Sequence, residues 1–210
     1  MRIVGTYRAV EAQEVEIKPD RLVKEGLMER KSLTIQRTGK HADVLVLTPK
    51  GRDLARALTP DGSAQRYYAG MVKPAEAAHD LAIQPACQEM IEEIEAKGGT
   101  VTRVVLDFEL KGKAARLMNQ PGPESQDECR AQAAAELDLP IIDDHLSIPD
   151  ARIEYTDRDG NAQHVDVEVV THNYRGSHMA SKKQSGFRLV KADSKGPRYK
   201  VNDDHHLHWL

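Results

Sequence analysis

Two β-rich segments on either side of a turn-forming run constrain the fold more than any other feature of this sequence. The run is Asp157-Arg158-Asp159-Gly160-Asn161, and its glycine and asparagine are typical of a tight hairpin turn. Residues 148–156 precede it and residues 162–171 follow it. In the second segment valine alternates with polar residues, which is the period of a strand. The pattern therefore predicts an antiparallel pair of strands over 148–171.

The segments around this hairpin predict the rest of an α/β domain. Residues 81–97 predict a helix, because apolar side chains recur there every three to four residues and Gly98-Gly99 follows as a stop signal. The other expected elements are a strand at 100–108, inserted helices at 110–118 and 128–137, a helix at 176–185 and a strand at 186–191. This order resembles the αβββαβ core of the PD-(D/E)xK, or restriction-endonuclease-like, fold.

Three acids of the hairpin are the candidate chemical residues. Asp150 begins the first strand, and Asp166 and Glu168, two residues apart, share one face of the second. The hairpin places Asp150 and Glu168 at comparable depths, so three carboxylates are expected to converge. Such a group suits Mg²⁺, which prefers oxygen ligands and assists phosphodiester hydrolysis.

The same acids resemble the PD-(D/E)xK signature, with Asp150 as the first acid and Asp166 as the second. Glu168 stands where that signature usually has lysine, so activity stays an open question. Lys182 or Lys183 is expected to supply a cation from the following helix, and Glu89 or Glu92 a further acid. We count Lys182 with the three acids as the candidate catalytic set, and the three acids as the candidate metal ligands.

The first 60 residues predict a different module. A helix at 19–29, strands at 32–36 and 43–48 and a helix from Pro49 to about residue 58 follow in order, and Thr48 is a good cap for the last. Residues 8–16 read as a short helix or a connector. Helix, hairpin and helix in this order are the second half of a winged helix. The sequence thus predicts an α+β or α/β protein, with a partial winged helix before a nuclease-like core.

Charge is divided unevenly along the chain. Residues 1–60 carry a formal charge of +4 and residues 61–210 a charge of −7, which favours a phosphate-binding module joined to one with another task. The basic residues expected to contact DNA are Arg21, Lys24, Arg30, Lys31, Arg37, Lys40, Lys50 and Arg52. We expect four segments: a DNA-binding segment at 1–60, a connector at 61–80, the nuclease-like domain at 81–191 and a polar tail at 192–210.

Other features exclude some classes of protein. The two cysteines, Cys87 and Cys129, lie far apart outside any metal-binding spacing, which argues against a disulfide framework and favours a reducing, cytoplasmic environment. No apolar run approaches the roughly 20 residues of a membrane helix. Several histidines are weaker candidates for acid–base or metal chemistry, since surface or structural roles account for them better: His79 beside Asp80, His172, His178, His205, His206 and His208.

Several short sequence segments together resemble the replication-relaxation, or mobilisation-accessory, family of proteins encoded by plasmids and integrative elements. They are residues 2–10, 26–30, 47–54, 78–80, 104–110, 149–154 and 165–186. The resemblance implies a winged helix fused to a nuclease-like domain, in bacterial DNA transfer or plasmid replication. Three hypotheses follow: a DNA-binding accessory protein, a Mg²⁺-dependent endonuclease, or an adaptor that recruits a relaxase or another mobilisation protein. A homodimer is left open.

Overall fold

The computed structural model describes residues 1–15, 19–34, 41–70, 77–120, 125–170 and 182–191. The chain forms two units, Met1–Gln88 and Glu89–Leu210, here called unit 1 and unit 2. Both contain helices and strands, so the expectation of a mixed α+β protein is confirmed. In the described part of the chain, no helix is both long enough and apolar enough to cross a membrane.

Unit 1 is built on a three-stranded antiparallel sheet. Its strands are β1 (Ala9–Glu11), β2 (Met28–Thr34) and β3 (His41–Leu47), in the order β1-β3-β2. Its helices are α1 (Arg2–Tyr7), α2 (Asp20–Lys24), α3 (Pro49–Ala57) and the first part of α4 (Ala77–Ala96). Buried apolar residues of all three strands pack with Ala77 and Leu81 of α4 to form a core.

The capping residues in the sequence predicted the start of α3 correctly. Thr48 caps it by accepting a hydrogen bond from the Gly51 backbone N–H at 3.0 Å, and Pro49 is its first residue. The Thr48 hydroxyl also donates to the Gly26 carbonyl at 2.7 Å, so the cap ties α3 to the turn before β2.

Two expectations for unit 1 differ from the structure, the second only in part. The helix expected at 19–29 ends at Lys24, because Gly26 adopts a φ of +69° and turns the chain into β2, which contains Met28 and Glu29. The segment expected at 8–16 as a helix or connector contains strand β1 and then a 3₁₀ helix at Ala12–Glu14, so its helical part is correct only there. A three-residue strand carries little local signal, and β1 forms because β3 offers it a partner, with Ala9 opposite Val46.

Unit 2 is built on a four-stranded sheet. Its strands are β4 (Thr100–Leu106), β7 (Ala151–Thr156), β8 (Ala162–Val170) and β9 (Arg188–Lys191), in the order β4-β7-β8-β9. Only the β8–β9 pair is parallel among these. Between β4 and β7 lie α5 (Asp107–Met118), α6 (Gln126–Leu137) and a small hairpin of β5 (Ile141–Ile142) and β6 (His145–Leu146).

The predicted β7–β8 hairpin is confirmed. Asp157 and Asn161 close its turn with a backbone hydrogen bond of 2.9 Å, and Gly160 takes a φ of +87°. The strand expected at 100–108 ends at Leu106 instead, and α5 begins at Asp107, whose carboxylate accepts from the Phe108 backbone N–H at 2.6 Å. The β5–β6 hairpin was not expected, because two-residue strands carry no periodicity.

Several expectations fall partly or wholly outside the described residues. Of the helix expected at 176–185, residues 182–184 are described and are helical, while 176–181 are not described. The strand expected at 186–191 is β9, which begins at Arg188. Outside the described residues lie the expected tail at 192–210 and these candidates: Arg37, Lys40, His172, His178, His205, His206 and His208.

Candidate active site

Asp150 and Glu168 lie side by side at one end of the central strand pair. Ala151 faces Val167 in the β7–β8 register, so Asp150 comes just before β7 where Glu168 continues β8. The Asp150 Oδ2 accepts a hydrogen bond of 2.8 Å from the Val169 backbone N–H. This bond holds the Asp150 carboxylate against β8, next to Glu168. The hairpin register had predicted this neighbourhood.

Glu168 is almost completely buried, with 1% of its surface exposed, and it forms an ion pair with Lys182. The Lys182 Nζ lies 3.0 Å from the Glu168 Oε2 and donates to the Ile148 carbonyl at 2.9 Å. It also lies 5.4 Å from the centre of the Phe187 ring. A buried carboxylate is costly unless it is paired. Lys182 meets this need and links β8 to the segment that carries Asp150.

Asp166 does not join this group, and the expected convergence of three carboxylates was wrong. Arg152 stands opposite Asp166 in the register and binds both of its oxygens, at 2.7 and 2.8 Å. The remaining guanidinium donors reach the carbonyls of Leu137 and Asp138, at 2.5 and 2.9 Å. The buried Arg152 side chain therefore joins Asp166 to the end of α6. Within the described ranges, no group of three or more histidine, cysteine or acidic side chains is placed to hold a metal.

Two residues that the sequence reading missed stand beside the pair. The Asp107 backbone N–H donates to the Asp150 carbonyl at 3.0 Å, and the Asp107 Oδ2 lies 2.5 Å from the Lys111 Nζ. Partial burial lowers the pKa of Lys111, but Asp107, Asp150 and Glu168 outweigh it and raise that pKa overall. The one signal for this pair was an acid and a lysine four residues apart, at the start of a helix.

The acids expected from α4 have a different setting. Glu93, which follows Glu92 in sequence, bonds to Arg188 at 3.3 Å, and Arg188 faces Val167 across the β8–β9 register. Because neighbouring residues of a strand point to opposite faces, α4 packs on the face opposite to Glu168. Glu89 is half-buried and Glu92 exposed on this helix, and Lys183 is exposed beside Lys182.

Most of the described cations expected to contact DNA carry acidic partners. Arg21 pairs with Glu25, Lys31 with Glu29 and Arg52 with Asp53, while Arg30 bridges Asp20 and Asp43. Lys50 donates to the Glu25 carbonyl at 3.1 Å, and Lys24 is exposed on α2. Surface pairs of this kind contribute only about 0–1 kcal/mol, so a phosphate can replace the acid at small cost. His79 and Asp80 are half-buried in the first turn of α4.

The Asp150–Glu168 pair has the donor chemistry of a divalent-cation site. Mg²⁺ in proteins is commonly held by one or two carboxylates, with waters and substrate oxygens completing its shell. Asp150, just before β7, and Glu168, on β8, supply two carboxylates of this kind, whereas the full set of three predicted acids does not form. No family model, curated protein or solved structure matches this chain.

Proposed function

We propose that this chain is a DNA-associated accessory protein whose second unit hydrolyses phosphodiester bonds with a divalent metal ion. The observation that carries the proposal is the buried Glu168, paired with Lys182 and set beside Asp150. Burying charge costs free energy, and such arrangements are concentrated at functional sites. The element order of unit 2 supports a PD-(D/E)xK-like core, with α5, α6 and the β5–β6 hairpin as an insertion.

Each residue of the centre has a distinct part in this proposal. Asp150 and Glu168 would hold the cation, whose chemistry is to polarise the phosphodiester and lower the pKa of a water. The Val169 backbone N–H fixes one oxygen of Asp150, so this carboxylate is oriented in advance. Lys182 orients Glu168 and supplies the cation that the signature usually carries at the position of Glu168.

Plasmid nicking tests the proposed hydrolysis. We expect the wild-type protein to nick supercoiled plasmid with Mg²⁺ or Mn²⁺ and to stop when EDTA is added. The variants Asp150→Asn and Glu168→Gln should lose at least about 100-fold in rate, as expected when a group that stabilises the transition state is removed. Glu154→Gln is the matched control, because Glu154 is a half-buried acid of β7 outside the centre. Equal nicking by the wild type and Glu168→Gln would refute the proposal.

DNA binding by unit 1 is a second candidate function, favoured by its topology. The strand order β1-β3-β2, with α2 directly before β2 and α3 directly after β3, supports a winged-helix-like module. Helix α2 is the candidate for a major-groove helix. The role in plasmid or mobile-element transfer comes from the family resemblance and belongs to the same proposal. DNA affinity that falls steeply with salt is the expected result, and a flat response would contradict it.

A further inference from the structure

The segment that leads into β7, residues 147–150, has no regular secondary structure, so individual hydrogen bonds set its position. At its start the Ser147 backbone N–H donates to the Pro140 carbonyl at 2.8 Å. At its end the Asp107 backbone N–H donates to the Asp150 carbonyl at 3.0 Å. The carboxylate that the proposed cation site needs is therefore carried by an irregular segment, and whatever fixes this segment also fixes the carboxylate.

Residues 182–185, here called the anchor turn, reach this segment with two side chains. They lie just before β9, and residues 182–184 are helical. The Ser185 hydroxyl donates to the Ser147 hydroxyl at 2.7 Å, and the Lys182 Nζ donates to the Ile148 carbonyl at 2.9 Å. Because residues three apart in a helical turn lie on the same side, both side chains can bind one stretch of chain. The anchor turn thus contacts two consecutive residues of the segment.

The same turn is connected to the other acid of the centre. The Lys182 ammonium lies 3.0 Å from the Glu168 Oε2, while Asp150 follows Ile148 by two residues. The Asp150 Oδ2 in turn accepts from the Val169 backbone N–H at 2.8 Å. If the segment shifts away from the anchor turn, we expect this last bond to loosen.

We propose that the Ser147–Ser185 hydroxyl pair positions the Asp150 carboxylate against β8, beside Glu168. Both serines are positioning residues, because they act through Asp150. The inference rests on the proposed function where it takes Asp150 and Glu168 as a divalent-cation site. A carboxylate that is held in place before the cation arrives lowers the entropic cost of binding. Loss of either hydroxyl should therefore loosen Asp150 and weaken the binding of a divalent cation.

Amide hydrogen exchange, followed by NMR on the full chain without metal, measures the positioning directly. The Val169 amide reports its bond to Asp150, and the Ile153 amide is the reference, because β7 has neighbouring strands on both sides. Relative to Ile153, the Val169 amide should exchange roughly fivefold faster in Ser185→Ala and in Ser147→Ala, as expected for the loss of one neutral hydrogen bond. The double variant should exchange no faster than either single one, because each removes the same bond.

Ser125→Ala is the matched control for a merely structural effect. Ser125 caps α6 by accepting from the Glu128 backbone N–H at 3.2 Å, so its loss destabilises a helix of the same unit. A general loss of stability should speed the exchange of Val169 and Ile153 by the same factor. An unchanged ratio of the two rates in Ser185→Ala would overturn the inference.

Binding of Mn²⁺, measured from the electron paramagnetic resonance of the free ion, tests the consequence for the cation site. Ser185→Ala should bind Mn²⁺ roughly fivefold more weakly than the wild type, Ser125→Ala should bind it equally well, and Asp150→Asn should lose binding. Equal affinities of the wild type and Ser185→Ala for Mn²⁺ would also overturn the inference.

The two measurements separate this inference from the proposed function. If the wild type does not bind Mn²⁺ but Val169 exchanges faster in Ser185→Ala, the positioning of Asp150 stands and the metal-dependent hydrolysis fails. If the wild type binds Mn²⁺ and nicks plasmid while Ser185→Ala matches it in both measurements, the hydrolysis stands and the role of the serine pair fails.

Discussion

Arg152 is one of two buried arginines of unit 2, and it engages one of the three acids predicted from the hairpin. Arg152 is 6% exposed, and its donors are divided between the Asp166 carboxylate and two carbonyls at the end of α6. A second buried ion pair joins Arg103 and Glu109 on β4 and α5. Arg152 and Arg103 thus each engage an acid, whereas Glu168 is paired with Lys182 and lies beside Asp150.

We predict that Asp166→Asn destabilises unit 2 without abolishing the chemistry of folded molecules. Breaking one side of a buried pair leaves an uncompensated charge and costs about 3–5 kcal/mol. Arg152→Met should cost at least as much, because the carbonyls of Leu137 and Asp138 also lose their donor. Urea unfolding of both single variants and the double variant measures these costs and their coupling.

Nicking at a temperature where the variant is folded supplies the second measurement for Asp166. Asp166→Asn should then keep most of the wild-type rate, while Glu168→Gln loses it. A variant Asp166→Asn as stable as the wild type, yet inactive, would restore Asp166 as a metal ligand.

Some residues of the candidate site could be predicted from the sequence, and others could not. The strand period and the hairpin turn sufficed to bring Asp150 beside Glu168, and the suggestion that Lys182 supplies a cation agrees with its 3.0 Å distance from Glu168. Asp166 pairs with Arg152 because Arg152 stands opposite it on the neighbouring strand. Predicting this pair requires the register of the two strands. Asp107 and Lys111 were missed because Asp107 was read as the end of a strand.

At the scale of elements, strong local signals predicted several boundaries correctly, whereas short strands that depend on a partner strand were missed. The Thr48 cap, the turn at Gly160 and the stop at Gly98 each act within a few residues, and the ends they mark agree with the structure. Strands β1, β5 and β6 are two or three residues long and owe their form to a partner strand. Their own sequence holds too little information to predict them.

Two helical glycines give opposite predictions for the same substitution. A Cβ at Gly51 of α3 would stand 1.9 Å from the Leu27 carbonyl oxygen, whereas one at Gly112 of α5 meets nothing within 4 Å. Gly51→Ala should destabilise the protein by about 1–3 kcal/mol or more, since backbone blocks the methyl group. Gly112→Ala should stabilise it by up to about 1 kcal/mol through helix propensity.

Urea midpoints followed by circular dichroism measure both glycine variants. Gly112→Ala serves as the control for Gly51→Ala, because both changes add the same methyl group inside a helix. A stable Gly51→Ala protein would mean that α3 does not approach Leu27 as closely as the structure places it.

At the scale of the whole molecule, the proposed DNA affinity and the proposed cleavage belong to different units. The positive charge of residues 1–60 belongs to unit 1, and the Asp150–Glu168 centre belongs to unit 2. If unit 1 supplies DNA affinity and unit 2 supplies cleavage, variants in the two units should separate these properties. Under the adaptor hypothesis, variants in the two units should not separate DNA affinity from cleavage, because a protein that recruits a relaxase needs neither property.

The variant Lys24→Gln in α2 should weaken DNA binding and lower its salt slope by about one, because it removes one phosphate contact. Its kcat for nicking should stay that of the wild type, with the loss confined to KM. Glu168→Gln should bind DNA in EDTA like the wild type and fail to nick.

Arg56→Gln is the matched control, since Arg56 is an exposed cation of α3 that was not among the expected DNA contacts. Anisotropy over a salt series and nicking over a range of plasmid concentrations give both readouts. Loss of binding in Glu168→Gln alone would place the DNA surface in unit 2, whereas equal behaviour of all three variants would favour the adaptor.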